Sequence, residues 1–335
     1  MPPELRCDVL THPSEVASID PAWRSLIDRG RLPSVFQHPA WVRTWWHFFG
    51  SGRQLLVMTC YEGESLVGLI PLMLDARTRT VNFIGHPLTD RNGAVAVAGR
   101  LRDVWASVIT ALRRSSTCTH AVLPELLDED VRACETAAHG ATVRTPALPS
   151  PVIDLPRQWE DHAARLSNSR RAGWRRDLRA LDKLGEIRFV SRSGTNLSDD
   201  DLAAFHHDRV GRWRYAGKLH QLSALERGDD FPRFLSILAR SLGADGMFHL
   251  SELNVGGLRA AQNLYLCWDD VVLDYMRAFN PAVRAHSPGN LATLAGTGDV
   301  RAQVGQQRIR AEQTGQRLSR GGILGEGQEL RIVVD

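Results

Sequence analysis

Late in the chain, Ser287-Pro288-Gly289-Asn290-Leu291 brings together residue types that can hold a phosphate without a charged side chain. Ser287 is a good helix cap, and Pro288 suits the first helical position. Gly289 lets a ligand approach the backbone, and the N–H groups and dipole of a helix start favour an anion. The same five residues also read as a capped helix start and nothing more, and alone they do not decide between the two. Groups able to move a proton lie just upstream: His249, Glu252, Asp274 and Tyr275 all fall on segments patterned as strands. Regular alternation puts Asp274 and Met276 on one face and Tyr275 on the other. Each also has an ordinary role open to it, Asp274 as a polar residue near a turn and Tyr275 as a core aromatic with its hydroxyl satisfied.

Other constellations carry less. Arg170, Arg171, Arg175, Arg176 and Arg179 could bind phosphates, but they spread over more than one face of a helix, as on a solvated surface. Trp41, Trp45 and Phe49 recur at helical spacing, which marks a core face as readily as a sugar- or acyl-stacking one. His206-His207-Asp208 lacks the spacing of an acyltransferase HHxxxD motif, and adjacent helical residues make a poor metal site. No metal site is expected. The formal charge of +3 over 335 residues gives no global field for DNA. Cys7, Cys60, Cys118, Cys134 and Cys267 are odd in number and widely spaced, which argues against a disulfide framework. The start of the chain has no apolar signal region, and the longest apolar stretch, 66–74, is too short to span a bilayer. A cytoplasmic protein is expected.

The elements that must position these residues fall into two blocks. The first, 1–155, holds helices over Asp20–Arg29 and around Trp41–Phe49, then strands over Gln54–Tyr61 and Ser65–Leu74 joined at Gly63. A strand from Thr80, a helix over Arg100–Arg114, a strand from His120 and a helix from Asp128 follow. Pro146, Pro149, Pro151 and Pro156 then interrupt regular structure and mark a boundary. The second block, 156–335, opens with the Arg-rich helix, about 158–184, and a strand over Glu186–Ser191. Helices over Asp199–Tyr215 and Asp230–Leu242 precede three strands, Phe248–Val255, Leu258–Trp268 and Val271–Phe279, turned at Gly256-Gly257 and Asp269-Asp270. A helix to about Gly305 follows the Ser287 loop. The two blocks share a layout without a sequence repeat.

Four stretches carry a resemblance: Phe36-Gln-His-Pro-Ala-Trp41 with Trp45; Leu66-Val-Gly-Leu-Ile-Pro71-Leu; the Arg-rich helix with Leu181, Leu184-Gly185 and later Arg212-Trp213; and Arg277-Ala-Phe279-Asn-Pro281 with Ser287-Pro-Gly289-Asn-Leu291. In order and spacing, over about 34–300, they resemble the GNAT-like acyl-CoA N-acyltransferases of the cellulose-biosynthesis (CelD) type, distantly similar to Fem-type aminoacyl transferases. The resemblance implies an α/β (α+β) fold of two tandem GNAT-like domains, each a mixed, mostly antiparallel sheet flanked by helices. It implies transfer from acetyl-CoA or another acyl-CoA to an amine or hydroxyl of a small-molecule or envelope-precursor acceptor. The pyrophosphate would then lie on Ser287, Gly289, Asn290 and Leu291, and the thioester beside Met276, Ala278 and Phe279. Acyl transfer needs a proton acceptor, for which Asp274, Glu252 and Tyr275 are the candidates, with His249 behind them. The family's closing Tyr-Lys is absent, Arg317 is a loose stand-in, and all four tyrosines precede the loop. A Fem-like transferase using aminoacyl-tRNA and a non-catalytic module on the same scaffold therefore stay open, as do the acceptor and the oligomeric state.

Overall fold

The computed structural model describes residues 5–293 apart from 116, 139–141, 146–148, 154–160, 162–163 and 270, and beyond 293 only the strands 308–310, 323–326 and 328–333. Its contacts gather Met1–Ser150 with Ile323–Asp335 into one compact unit and Pro151–Gly322 into another.

The first unit runs β1 (Arg6–Leu10), α1 (Pro13–Ser18), α2 (Asp20–Arg29), β2 (Gly30–Arg31), α3 (Pro39–Phe49), β3 (Gln54–Glu62), β4 (Ser65–Asp75), β5 (Thr80–Phe83), β6 (Val95–Val97), α4 (Leu101–Arg114), β7 (His120–Leu126), α5 (Asp128–Ala138) and β8 (Thr142–Thr145). Helix α3 starts where His38 accepts a hydrogen bond from the Ala40 N–H and Pro39 fills the first turn. Its Trp41 and Trp45 are fully buried, so that stripe belongs to the core. On the sheet, Ile70, Leu72, Val81 and Phe83 pack with Trp105, Val108 and Ile109 of α4 and Val131 and Cys134 of α5. Burying each large side chain of this kind is worth about 1.5–3 kcal/mol. Gly68 allows α4 to approach β4, since a Cβ there would lie 2.1 Å from Val104 Cγ2.

The second unit is built from β9 (Pro149–Ile153), α6 (Asn168–Asp182), β10 (Ile187–Ser193), α7 (Asp199–Tyr215), α8 (Phe231–Gly243), β11 (Phe248–Val255), β12 (Leu258–Trp268), β13 (Val271–Phe279) and β14 (Arg308–Arg310); β15 (Ile323–Glu326) and β16 (Gln328–Val333) close the chain. Helix α7 opens with a capping box between Ser198 and Asp201. The β11–β12 hairpin turns at Gly256 and Gly257, whose φ values of 57° and 82° suit glycine.

Both sheets follow one plan. In the first the order begins β1-β3-β4-β5-β7-β16-β8, antiparallel to β5, with β5 and β7 parallel. In the second it begins β10-β11-β12-β13-β14-β9, antiparallel to β13, with β13 and β14 parallel. The fold is thus α/β, two mixed sheets flanked by helices. Three details differ from the sequence-based expectation. The Arg-rich helix α6 starts at Asn168, the expected earlier part falling largely outside the described residues. Strand β9 forms inside the proline cluster, and β16 pairs with β7 and β8 rather than within the second sheet. The expected helix to Gly305 is described only to 293, and Arg317 lies outside the described residues.

Candidate functional site

Strand β13 organises the site, and its register carries the main finding. Leu264 faces Met276, yet the next residue of β12, Tyr265, faces Asp274. Tyr275 is therefore an extra residue, a β-bulge, and the alternation of side chains changes phase there. Asp274 shares a face with Tyr265, Asn263 and Arg277, while Met276 lies on the opposite face with Leu264. The expectation that Asp274 and Met276 share a face is corrected by this bulge. Cross-strand pairing also puts Glu252 beside Gln262 and Ala278, so Glu252 and Asp274 occupy opposite faces of the sheet.

Each carboxylate is fully engaged. Buried Asp274 accepts from Arg277 Nε at 2.7 Å, from Asn263 Nδ2 at 3.3 Å and from Thr293 Oγ1 at 3.5 Å. It ties β13 to β12 and to the turn that follows the loop. Buried Glu252 accepts from Arg192 at 2.7 Å and Gln262 at 2.9 Å, and Arg192 also forms a two-pronged pair with Asp201. His249 is buried and bonded through Nε2 to the Gly246 carbonyl at 2.9 Å. Tyr275 is half-buried at the bulge.

Beyond the bulge, no described strand pairs with the outer edge of β13. Among the described residues, its parallel pairing with β14 covers Val271 to Leu273. The Asn280 N–H bonds the Ala260 carbonyl on β12, so by alternation Ala278 also faces β12 and Arg277 and Phe279 turn their N–H and C=O groups outward. The Arg277 carbonyl accepts Nη1 of Arg209 at 3.3 Å and Nη1 of Arg212 at 3.2 Å, both from α7. Arg209 is held by Glu226 at 2.7 Å. Burial pulls the Arg212 guanidinium down to about 10, helped by the charges of Arg209 and Arg277. Burial also works against the charge on Arg277, but the Asp274 carboxylate outweighs it and holds that group up.

The loop leaves β13 through Asn280, whose side chain caps a 3₁₀ helix, Pro281–His286. Ser287 then adopts the left-handed conformation, φ 48° and ψ 47°, and a helical turn covers 288–293. Pro288 has no N–H, and those of Asn290 and Leu291 return to the Ser287 carbonyl at 3.0 and 3.3 Å. Of the first donors in this turn, the Gly289 N–H is the one left over among the described bonds. Among the described residues, space beside Gly289 is open: a Cβ there would meet Phe279 Cδ1 at 3.9 Å and nothing nearer. Leu291 is buried in the small core with Leu253, Ala261 and Val283, so it anchors the turn.

The structure thus brings Met276, Ala278 and Phe279 together with Ser287, Gly289, Asn290 and Leu291 along one strand end and its loop, while it separates Glu252 from Asp274. The arginines Arg209, Arg212 and Arg277 were not picked out as a site from sequence. Arg212-Trp213 and Arg277 were visible as motif residues, but no local pattern joins an α7 side chain to a β13 carbonyl. Among the described residues no group of three or more His, Cys, Asp or Glu could hold a metal, and no helix is long and apolar enough to cross a membrane.

Residues 168–309 match the family model described as an acetyltransferase (GNAT) domain. No curated protein matches the chain. Among solved structures it is similar to a tandem GNAT protein from the clavulanic acid biosynthesis pathway, at 14% identity over 99% of each chain and a TM-score of 0.53. It is similar to FemX at 8% identity, over 98% of this chain and 97% of that one, with a TM-score of 0.61. L-PGS from Bacillus licheniformis is similar at 10% identity, over 97% and 93% of the chains, with a TM-score of 0.58. At these identities the likeness is one of fold: tandem GNAT.

Proposed function

We propose that the second block, 156–335, is an acyltransferase that takes an acetyl or other acyl group from acyl-CoA and passes it to an amine or hydroxyl. The observation that carries this is the edge of β13 left open among the described residues: described parallel pairing ends at Leu273, the bulge follows, and the Arg277 and Phe279 N–H groups turn outward. The acyl-CoA would supply a carbonyl carbon activated as a thioester. Of Ser287, Gly289, Asn290 and Leu291, Gly289 suits the holding of its pyrophosphate best, through its leftover N–H and the room beside it, while the Asn290 and Leu291 N–H groups are spent on the Ser287 carbonyl and Leu291 anchors the turn. Met276, Ala278 and Phe279 would flank the thioester end.

In this reading the acceptor attacks directly. Charge that develops on the carbonyl oxygen meets the backbone N–H of Arg277 or Phe279, donors fixed before the reaction begins. Asp274 works through its hold on Arg277 and the 288–293 turn, and Glu252 braces β11 against β10 and β12. Tyr275, on the open half of the strand, is the candidate for proton transfer. The match of 168–309 to a GNAT domain supports the chemistry. An envelope or polysaccharide precursor as acceptor rests on the family resemblance of the four motifs. A cytoplasmic setting agrees with five cysteines that are all free thiols.

Calorimetry with acetyl-CoA, on the intact chain and on Gly289→Trp, tests the reading. Micromolar binding that the substitution abolishes is the expected outcome. Folded protein that binds neither acetyl-CoA nor longer acyl-CoAs refutes it and turns attention to aminoacyl-tRNA, the donor of the Fem-like alternative, for which the fold likeness to FemX speaks.

A further inference from the structure

Helix α7 delivers Arg209 and Arg212, one turn apart, to the carbonyl of Arg277 on the open half of β13. Three guanidinium groups meet there, and they are not equally matched. Arg209 is paired with Glu226, and Arg277 with Asp274. Arg212 has no carboxylate within ion-pair distance among the described residues. Its hydrogen-bond partner among the described residues is the Arg277 carbonyl, through Nη1. Its cation lies 4.9 Å from the ring centres of both Trp213 and Phe279. The Trp213 Nε1 is itself buried with no hydrogen-bond partner among the described residues.

A cation that is mostly shielded from water, beside two other cations, is unfavourable unless something of opposite charge completes it. Burial and the neighbouring arginines already pull the Arg212 guanidinium down to about 10. The aromatic rings offset part of this cost. They also hold the planar group in one orientation, with its remaining N–H donors unspent among the described residues. That is the geometry in which a guanidinium takes a carboxylate or phosphate through two parallel bonds.

We propose that Arg212 anchors a carboxylate or phosphate group of the acceptor, so that this protein acylates anionic acceptors in preference to neutral ones. The proposal rests on the acyl-transfer reading of the β13 edge. Arg212 donates to the carbonyl of Arg277, the residue whose N–H is placed to meet the reacting carbonyl. An anion held there lies beside the acyl carbon. The phosphates of CoA lie a whole pantetheine arm away from its thioester, so they are the poorer match to that position.

Two measurements test it. First, acceptors are compared in pairs with acetyl-CoA as donor: amino acids against their amides, and glucosamine 6-phosphate against glucosamine, followed by release of the CoA thiol. A tenfold or greater preference in kcat/KM for the acidic member is expected, about 1.4 kcal/mol per tenfold. Arg212→Gln should remove that preference through KM while leaving acetyl-CoA affinity by calorimetry unchanged, and Arg212→Lys should restore part of it. Second, inorganic phosphate at millimolar concentration should raise the melting temperature of the wild-type chain and not of Arg212→Gln. Neutral acceptors served equally well would overturn the proposal and leave the acyl-transfer reading standing. So would an Arg212→Gln chain that loses acetyl-CoA affinity instead, which would assign Arg212 to the donor. If no acyl-CoA binds the wild type, the acyl-transfer reading falls by itself. The phosphate shift then decides for the anion site, and an equal shift in Arg212→Gln sinks it.

Discussion

Replacing Asp274 by Asn keeps the size of the side chain and removes its charge. The consequence follows from the partners: Arg277 Nε at 2.7 Å and Asn263 Nδ2 at 3.3 Å both donate to a carboxylate that is 2% exposed. Without it, the Arg277 guanidinium joins Arg209 and Arg212 with no counter-charge of its own. Removing one partner of a buried pair costs about 3–5 kcal/mol. The Arg277 side chain is 18% exposed, and asparagine still offers one acceptor, so about 2–4 kcal/mol is expected here. Hydrogen exchange followed by mass spectrometry reads this locally, which suits a chain of two units that need not unfold together. Amides of 261–279 should exchange about 30-fold to 1,000-fold faster, since about 1.4 kcal/mol is a factor of ten. Amides of 55–74 in the first unit should not change. The companion variant Arg277→Leu, alone and combined with Asp274→Asn, completes a cycle in which the double change costs less than the sum. Additive effects, or acceleration below threefold in Asp274→Asn, would mean the two side chains are not coupled. The bulge at Tyr275, which alone puts residues three apart on one face, would then be wrong.

Other expectations are quicker to check. The Asp201 carboxyl, despite burial that works the other way, is lowered to about 2 by Arg192 and the Ser198 N–H and hydroxyl. A depressed carboxyl contributes stability that is full above its unfolded value, about 3.9, and is lost as pH falls toward about 2. Urea midpoints between pH 5 and 2 should therefore fall more steeply for the wild type than for Asp201→Asn. Gly68→Ala should destabilise the first unit by about 1–3 kcal/mol by overpacking against Val104, which would show as a lowered urea midpoint. Tyr275→Phe should lower kcat without moving acetyl-CoA affinity, and an unchanged kcat would remove the hydroxyl from the proton path.

What sequence could foresee divides along a physical line. The limits of α7 and of β11, β12 and β13 were legible to the residue because they are set locally, by the Ser198 cap and by turns at Gly256-Gly257 and Asp269. The candidate loop was legible for the same reason, as a short run of cap, proline and glycine. The bulge was not, because nothing in Asp274-Tyr275-Met276 says which residue goes unpaired; the partner strand decides. That one residue reverses which side chains meet, and it separated Met276 from Asp274. The arginine cluster was hidden likewise, since a helix begun at Asp199 and a strand begun at Val271 meet only through the fold. Strand β9 forms in a stretch whose prolines read as a break, and β8 just before it, because their pairing comes from distant segments.

Strand β16 lies between β7 and β8, though it is made after the entire second unit. On a ribosome the first sheet therefore waits with a gap between those two strands until β16 emerges, after the second unit has left the tunnel. A nascent chain held just short of Gln328 exposes two strand edges, each a template for another chain. A chaperone or early aggregation would find the N-terminal unit, the first synthesised, to be the last completed.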